Sequence, residues 1–208
     1  MIYIPGNSAS EYYAEKTTNS WKKMGYDVIP FEATTPETLG TEIPFGIKDN
    51  GGAGSVVRPF TETEKAIWYS SYRLWKHCVE INEPIIVIEH DSMLIEDFNR
   101  DIFRRVDSAI LSCKPRMYGF AKPEIDWVPT AGSGYFMRPN VAKLAADMDV
   151  WKDHIDCNSD GHIVRSMITA LPNPKAQRIY IHPHIRHYYN PNVGSTIDHK
   201  HEWMKIVK

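Results

Sequence analysis

Two carboxylates one residue apart, Glu89 and Asp91 around His90, follow directly on the β-branched run Ile85-Ile86-Val87-Ile88. Such a run reads as a strand buried on both faces of a sheet, and in open α/β sheets ligands bind beyond the carboxyl ends of strands. Two carboxylates at that spacing can share one hard divalent cation. A cation held there can bridge the two phosphates of a nucleotide diphosphate, which would otherwise repel the carboxylates. The competing reading is local, with Asp91 or Ser92 capping a helix that starts near Met93. Histidines His182, His184 and His187, then His199 and His201, offer a second kind of ligand. Residues two apart on a strand share a face, so each i, i+2 pair could chelate zinc, but no cysteine or carboxylate set completes four ligands. Cys78, Cys113 and Cys157 are odd in number, far apart and never in a CxxC pair, which fits buried thiols and no disulfide framework. The glycines of Gly51-Gly52-Ala53-Gly54-Ser55 lack both the following Lys-Ser/Thr and the preceding strand of a phosphate cradle.

The elements that must position these residues follow from periodicity and punctuation. Met1 to Pro5 reads as a short buried strand, Gly6-Asn7-Ser8 as a turn, and Ala9 to Met24 as a polar helix closed by Gly25. A second strand is expected over Asp27 to Phe31, giving the start of a βαβ unit. Residues 34–60 are rich in proline and glycine, without periodicity, and are expected to form a long flexible loop. A helix from Glu62 to Ile81 carries an apolar stripe of Trp68, Tyr72, Trp75 and Val79. Thr61 with Glu64 makes its capping box, and Pro84 enforces its end. The expected class is α/β, with helices packed on a mostly parallel sheet.

At 208 residues, 42% apolar and 12% aromatic, the chain is sized for a single domain over 1–208. No apolar run reaches membrane-spanning length and no signal-peptide pattern opens the chain, so a cytoplasmic location is expected. The net charge of −2 divides unevenly: residues 1–96 hold 8 basic and 14 acidic residues, and the remainder 16 basic and 12 acidic. That mild excess is far below the basic stripe of a dedicated nucleic-acid binder, yet it suits an anionic acceptor.

The run from Glu64 to Trp75, then Asn82-Glu83-Pro84 and Ile88-Glu89-His90-Asp91, resembles glycosyltransferase family 25, which includes lipooligosaccharide and collagen galactosyltransferases. Members carry Glu-Ile-Gly-Cys, Ser-His, a tryptophan, and an apolar strand ending Glu-Asp-Asp. Glu64, Ser70, Trp75, Glu89 and Asp91 fall on matching positions. Ser71 stands where the family has histidine, and His90 replaces the middle aspartate. Downstream, Gly132 to Met137 is similar to the family's Gly-Thr-His-Ala-Tyr strand, and Pro139 to Leu144 to the helix after it. Asp156 to Ile163 is similar to Pro-Val-Asp-x-x-Leu, and Gly194 to Ile197 to the terminal Ser-Thr-Ile. The resemblance covers most of residues 60 to 197.

What the resemblance implies is a GT-A-like, Rossmann-like single domain. Its activity would be the inverting, metal-dependent transfer of a sugar from a nucleotide diphosphate sugar, a UDP-sugar, to a hydroxyl. Mn²⁺ or Mg²⁺ would be held by Glu89 and Asp91, with a C-terminal histidine, His199 foremost, as a third ligand. Asp160 would be the general base, with Asp156 in reserve; the local alternative is that Asp160 or Ser159 caps a helix from Gly161 to Leu171. Glu64, Ser70, Glu89 and Ser133 would line the donor side. Gly6, Asn7 and Ser8 stand where uracil and ribose are expected in this fold, although their composition also makes an ordinary turn. Trp127, Tyr135, Tyr188, Tyr189 and Trp203 are candidates for stacking on a sugar or base. The implied acceptor is a saccharide of lipooligosaccharide type. Arg100, Arg104, Arg105, Lys114, Arg116 and Lys122 support an alternative, a phage-type enzyme that glycosylates hydroxymethylated DNA bases. A third reading is a nucleotide-sugar or glycan-binding module that has lost catalysis.

Overall fold

Asn7 opens the first helix by accepting the Ser10 amide on its side chain at 3.0 Å, and Gly25, at φ +77°, follows the helix end in the left-handed region. In the computed structural model, which describes residues 1–40, 61–94, 97, 100–115, 127–129, 134–147 and 181–187, β1 is Ile2–Tyr3, α1 is Ser8–Lys23 and β2 is Phe31–Glu32. The two strands pair in parallel, Ile2 with Phe31 and Tyr3 with Glu32, so the expected βαβ unit is present. Both strands are shorter than the sequence predicts. Pro5 and Pro30 carry no N–H for a ladder, and the Ile4 amide donates instead to Ser10 Oγ at 2.8 Å.

The second helix, α2, is Glu62–Ile81 with both bonds of its capping box formed, Glu64 N to Thr61 Oγ1 at 3.2 Å and Thr61 N to Glu64 Oε2 at 2.9 Å. It ends on Asn82, at φ 52°, two residues before Pro84. The fully buried line along it is Trp68, Ser71, Trp75 and Cys78, so the apolar stripe is rotated slightly and leaves Tyr72 and Val79 half-buried. Ser70 and Ser71 sit in this buried region because each hydroxyl donates to the carbonyl four residues earlier, Ala66 at 2.9 Å and Ile67 at 3.2 Å.

The remaining elements are β3 (Ile85–Ile88), β4 (Ser92–Leu94), α3 (Ile102–Arg105), β5 (Ser108–Pro115), β6 (Trp127–Pro129), β7 (Gly134–Met137), α4 (Pro139–Ala145) and β8 (Ile181–His187). The main sheet runs β3-β7-β5-β8-β4, with β6 also on β5. Among the described residues, β1 with β2 and β5 with β8 are parallel, while β3 with β7, β5 with β7, β4 with β8 and β5 with β6 are antiparallel. The sheet is therefore mixed, not mostly parallel. The physical reason is that β7 lies between β3 and β5 and runs against both, although β3, β5 and β8 share one direction. An isolated parallel bridge from Ile2 to Glu89 joins β1 to the end of β3.

Alternation along these strands builds a core on each face. Val87, Ile110, Tyr135 and Met137 pack with Trp68, Trp75 and Cys78 of α2 and Val141, Ala142 and Ala145 of α4. Ile88, Ala109, Leu111 and Phe136 point the other way, toward Trp21 of α1, with Phe103 of α3 against that cluster. Helices thus cover both faces, as an α/β chain requires. Trp75 Nε1 donates to the Tyr135 hydroxyl at 3.1 Å inside the first core, which makes Tyr135, 1% exposed, a core residue and not a stacking platform. Residues 34–40, the start of the expected loop, are fastened to α2 through Thr34, whose amide donates to Ser70 Oγ at 2.8 Å. Residues 41–60 lie outside the described residues. No helix among the described residues is long and apolar enough to cross a membrane.

Candidate active site

The acidic pair occupies the tight connection between β3 and β4. Ser92 N donates to the Glu89 carbonyl at 3.1 Å, so Glu89, His90, Asp91 and Ser92 form one turn. Met93 lies in β4 and not in a helix, with Ser92, Met93 and Leu94 paired to His187, Arg186 and Ile185. The helix-cap reading of Asp91 and Ser92 is overturned, because Ser92, Met93 and Leu94 form a strand and no helix starts at Met93. Glu89, His90 and Asp91 are each half-buried, and Oδ1 of Asp91 is shielded from solvent.

The turn is held from two sides. The bridge between Ile2 and Glu89 sets it beside β1, whose carboxyl end leads into Gly6, Asn7 and Ser8. From α1, Thr17 Oγ1 donates to the His90 carbonyl at 2.6 Å and Trp21 Nε1 to the Ser92 carbonyl at 2.9 Å, while Ser20 Oγ accepts the Leu94 amide at 3.0 Å. The sequence reading does not single out these three. Their signal is Thr17 and Ser20 recurring with Trp21 at helical spacing on an otherwise polar helix.

Of the candidate residues, Glu89 and Asp91 share the turn after β3, and Gly6, Asn7 and Ser8 follow β1, the strand that bridges to Glu89 through Ile2. Asn7 also caps α1, and the Gly6 amide donates to Glu11 Oε1 at 2.9 Å, so this turn has its own internal bonding. Glu64 and Ser70 stand on α2, where Glu64 Oε2 closes the capping box and the Ser70 hydroxyl ties Thr34 to the Ala66 carbonyl. Ser133, Asp156, Asp160 and His199 lie outside the described residues. His182, His184 and His187 belong to β8, where the register sets His187 opposite Ser92, one residue beyond Asp91.

Among the described residues no three His, Cys, Asp or Glu side chains converge as a metal cage. Two carboxylates nonetheless fit Mn²⁺ or Mg²⁺. Both ions favour hard oxygen donors, and Mg²⁺ in particular is commonly held by one or two carboxylates, water and phosphate oxygens. A groove of about 270 Å³ between α2 and α4, lined by Tyr72, Lys76, Val79, Glu80, Lys143, Ala146 and Asp147, includes none of the candidate residues. Two of the basic residues considered for DNA are paired with acids, Arg100 with Asp97 at 3.4 Å and Arg104 with Asp101 at 3.4 Å.

Residues 14–115 match the model of glycosyltransferase family 25 (LPS biosynthesis protein), a stretch from within α1 to the end of β5 that contains the acidic turn and its contacts with α1. The class of protein is therefore a glycosyltransferase. The match supports the family that the motifs around α2 and β3 imply. No curated protein matches the chain.

Proposed function

We propose that the protein transfers a sugar from a nucleotide diphosphate sugar, a UDP-sugar, to a hydroxyl of a lipopolysaccharide-type saccharide, with inversion and with Mn²⁺ or Mg²⁺. The observation that carries this reading is the acidic turn, fixed at the carboxyl end of β3 and joined to β1 by the Ile2–Glu89 bridge. The ion would offset the negative charge of the departing diphosphate. Glu89 and Asp91 hold it through their carboxylates, with His199 proposed as the third ligand. Gly6, Asn7 and Ser8, at the end of β1, take the base and ribose side; Glu64, Ser70 and Ser133 complete the donor pocket. Asp160 removes the proton of the acceptor hydroxyl as that oxygen bonds to the sugar carbon. The bond from that carbon to the diphosphate oxygen breaks, and the nucleoside diphosphate leaves with the electron pair. A positioned base of this kind contributes about 10² to 10⁴ in rate.

The test is release of free nucleoside diphosphate from UDP-, GDP- and CDP-sugars with Mn²⁺, with and without chelator, using simple glycosides and hydroxymethylated DNA as acceptors. Metal-dependent release from a UDP-sugar, raised by a glycoside and lost in Asp91→Asn, is the expected result. Stimulation by DNA alone would replace the saccharide acceptor. Absence of turnover with every donor, in a folded chain, would leave a binding module.

A further inference from the structure

We propose that Thr17, Ser20 and Trp21 of α1 are positioning residues for the acidic turn, three side chains on one helix face that fix the backbone bearing Glu89 and Asp91. The proposal rests on the metal-binding reading of those two carboxylates. Positions 17, 20 and 21 lie three and four residues apart, so they present side by side on a helix. Their partners are successive along the chain: the carbonyl of His90, the carbonyl of Ser92 and the amide of Leu94.

The Thr17 bond, 2.6 Å to the His90 carbonyl, falls at the centre of the turn. Fixing that oxygen fixes the plane of the peptide between His90 and Asp91, and with it the direction in which the Asp91 side chain leaves the backbone. The other two bonds close the edge of the sheet. Alternate residues of a strand direct their backbone groups to the same edge, so Ser92 O and Leu94 N both open away from β8. Among the described residues β4 ends the strand order and no strand pairs with this edge, and α1 side chains supply its donor and acceptor. Thr17 is fully buried and Trp21 is 2% exposed, conditions in which such bonds are strong and directional. Trp21 shares a buried apolar cluster with Ile88 and Leu94, and the hydroxyls add orientation.

The full-length chain is titrated with Mn²⁺ in the presence of UDP, and bound metal is read from the loss of the free-ion electron paramagnetic resonance signal. Thermal unfolding of each variant is recorded in parallel. Wild type is expected to bind and Asp91→Asn to lose binding. Thr17→Val, which keeps shape but not the hydroxyl, is expected to weaken Mn²⁺ binding about 10-fold, as supporting groups of metal ligands do. Thr17→Ser restores the hydroxyl and most of the affinity. Should Thr17→Val fail to fold, Ser20→Ala and Trp21→Phe carry the test, each removing one bond to β4. Folded Thr17→Val with wild-type affinity, or Thr17→Ser as weak as Thr17→Val, overturns the positioning role while the metal reading stands. Mn²⁺ affinity identical in wild type and Asp91→Asn overturns the metal reading, and the proposal with it.

Discussion

At Ser70 the hydroxyl accepts the Thr34 amide at 2.8 Å and donates to the Ala66 carbonyl at 2.9 Å, with the side chain 2% exposed. Arg73, one turn further along α2, donates to Thr34 Oγ1 at 3.2 Å and covers the Phe31 ring at 4.7 Å. Ser70 therefore joins α2 to the chain leaving β2. In Ser70→Ala the buried Thr34 amide loses its acceptor, at a cost of about 1 to 3 kcal/mol. Urea unfolding is expected to show a lower midpoint with an unchanged slope. A variant of wild-type stability would remove Ser70 from the framework. Asp91 is the opposite case on the proposed reading, in which its loss is expected to cost more activity than the about 10- to 100-fold typical of residues that only support a ligand.

The bounds of helix α2 are legible in the sequence, since Thr61, Glu64 and Pro84 are local signals and the cap forms from residues three apart, whereas the line it buries is shifted from the expected stripe. Thr61→Ala is expected to destabilise the protein by about 1 kcal/mol, read as a fall in thermal midpoint, and Thr61→Ser is expected to recover most of it. The strand Ile85–Ile88 was equally legible from its composition. Its antiparallel partner β7 was not, because pairing direction is decided by residues 46 and more positions away, Ile88 with Gly134 being the nearest. The turn from Glu89 to Ser92 shows the same division. Its carboxylates and their place after β3 could be read from sequence, but the strand that follows could not. Ser92-Met93-Leu94 has no strong propensity by itself and takes its form from pairing with β8 and from the side chains of α1. Contacts made by Thr17 and Ser20 have helical spacing as their one sequence signal.

Across the whole molecule, a buried thiol and a half-buried tyrosine on opposite faces of the sheet make stability sensitive to base. Burial pushes the Cys78 thiol from 9.0 up to about 11. Burial first, and then the hydrogen bond from its hydroxyl to Asp97, pushes Tyr26 from 10.0 up to about 12. Each group therefore ionises in the unfolded chain before it does so in the fold. The unfolded state binds fewer protons between pH about 9 and about 12, and stability is expected to fall as pH rises through that window. Chemical denaturation at several pH values measures it, and Tyr26→Phe is expected to flatten the upper part of the slope; an unchanged slope would remove Tyr26 from the effect.

The bonds from α1 to the acidic turn also have a consequence in time. They join residues 71 to 74 positions apart, so a long stretch of chain must be ordered before any of them closes. By contrast, α2 and the strand after it are neighbours in sequence and begin from local contacts. During refolding, the helical signal and the burial of Trp68 and Trp75 are expected to recover ahead of the proposed binding of Mn²⁺. The protein would then acquire its shape before its chemistry, with the docking of its first helix as the step that separates the two.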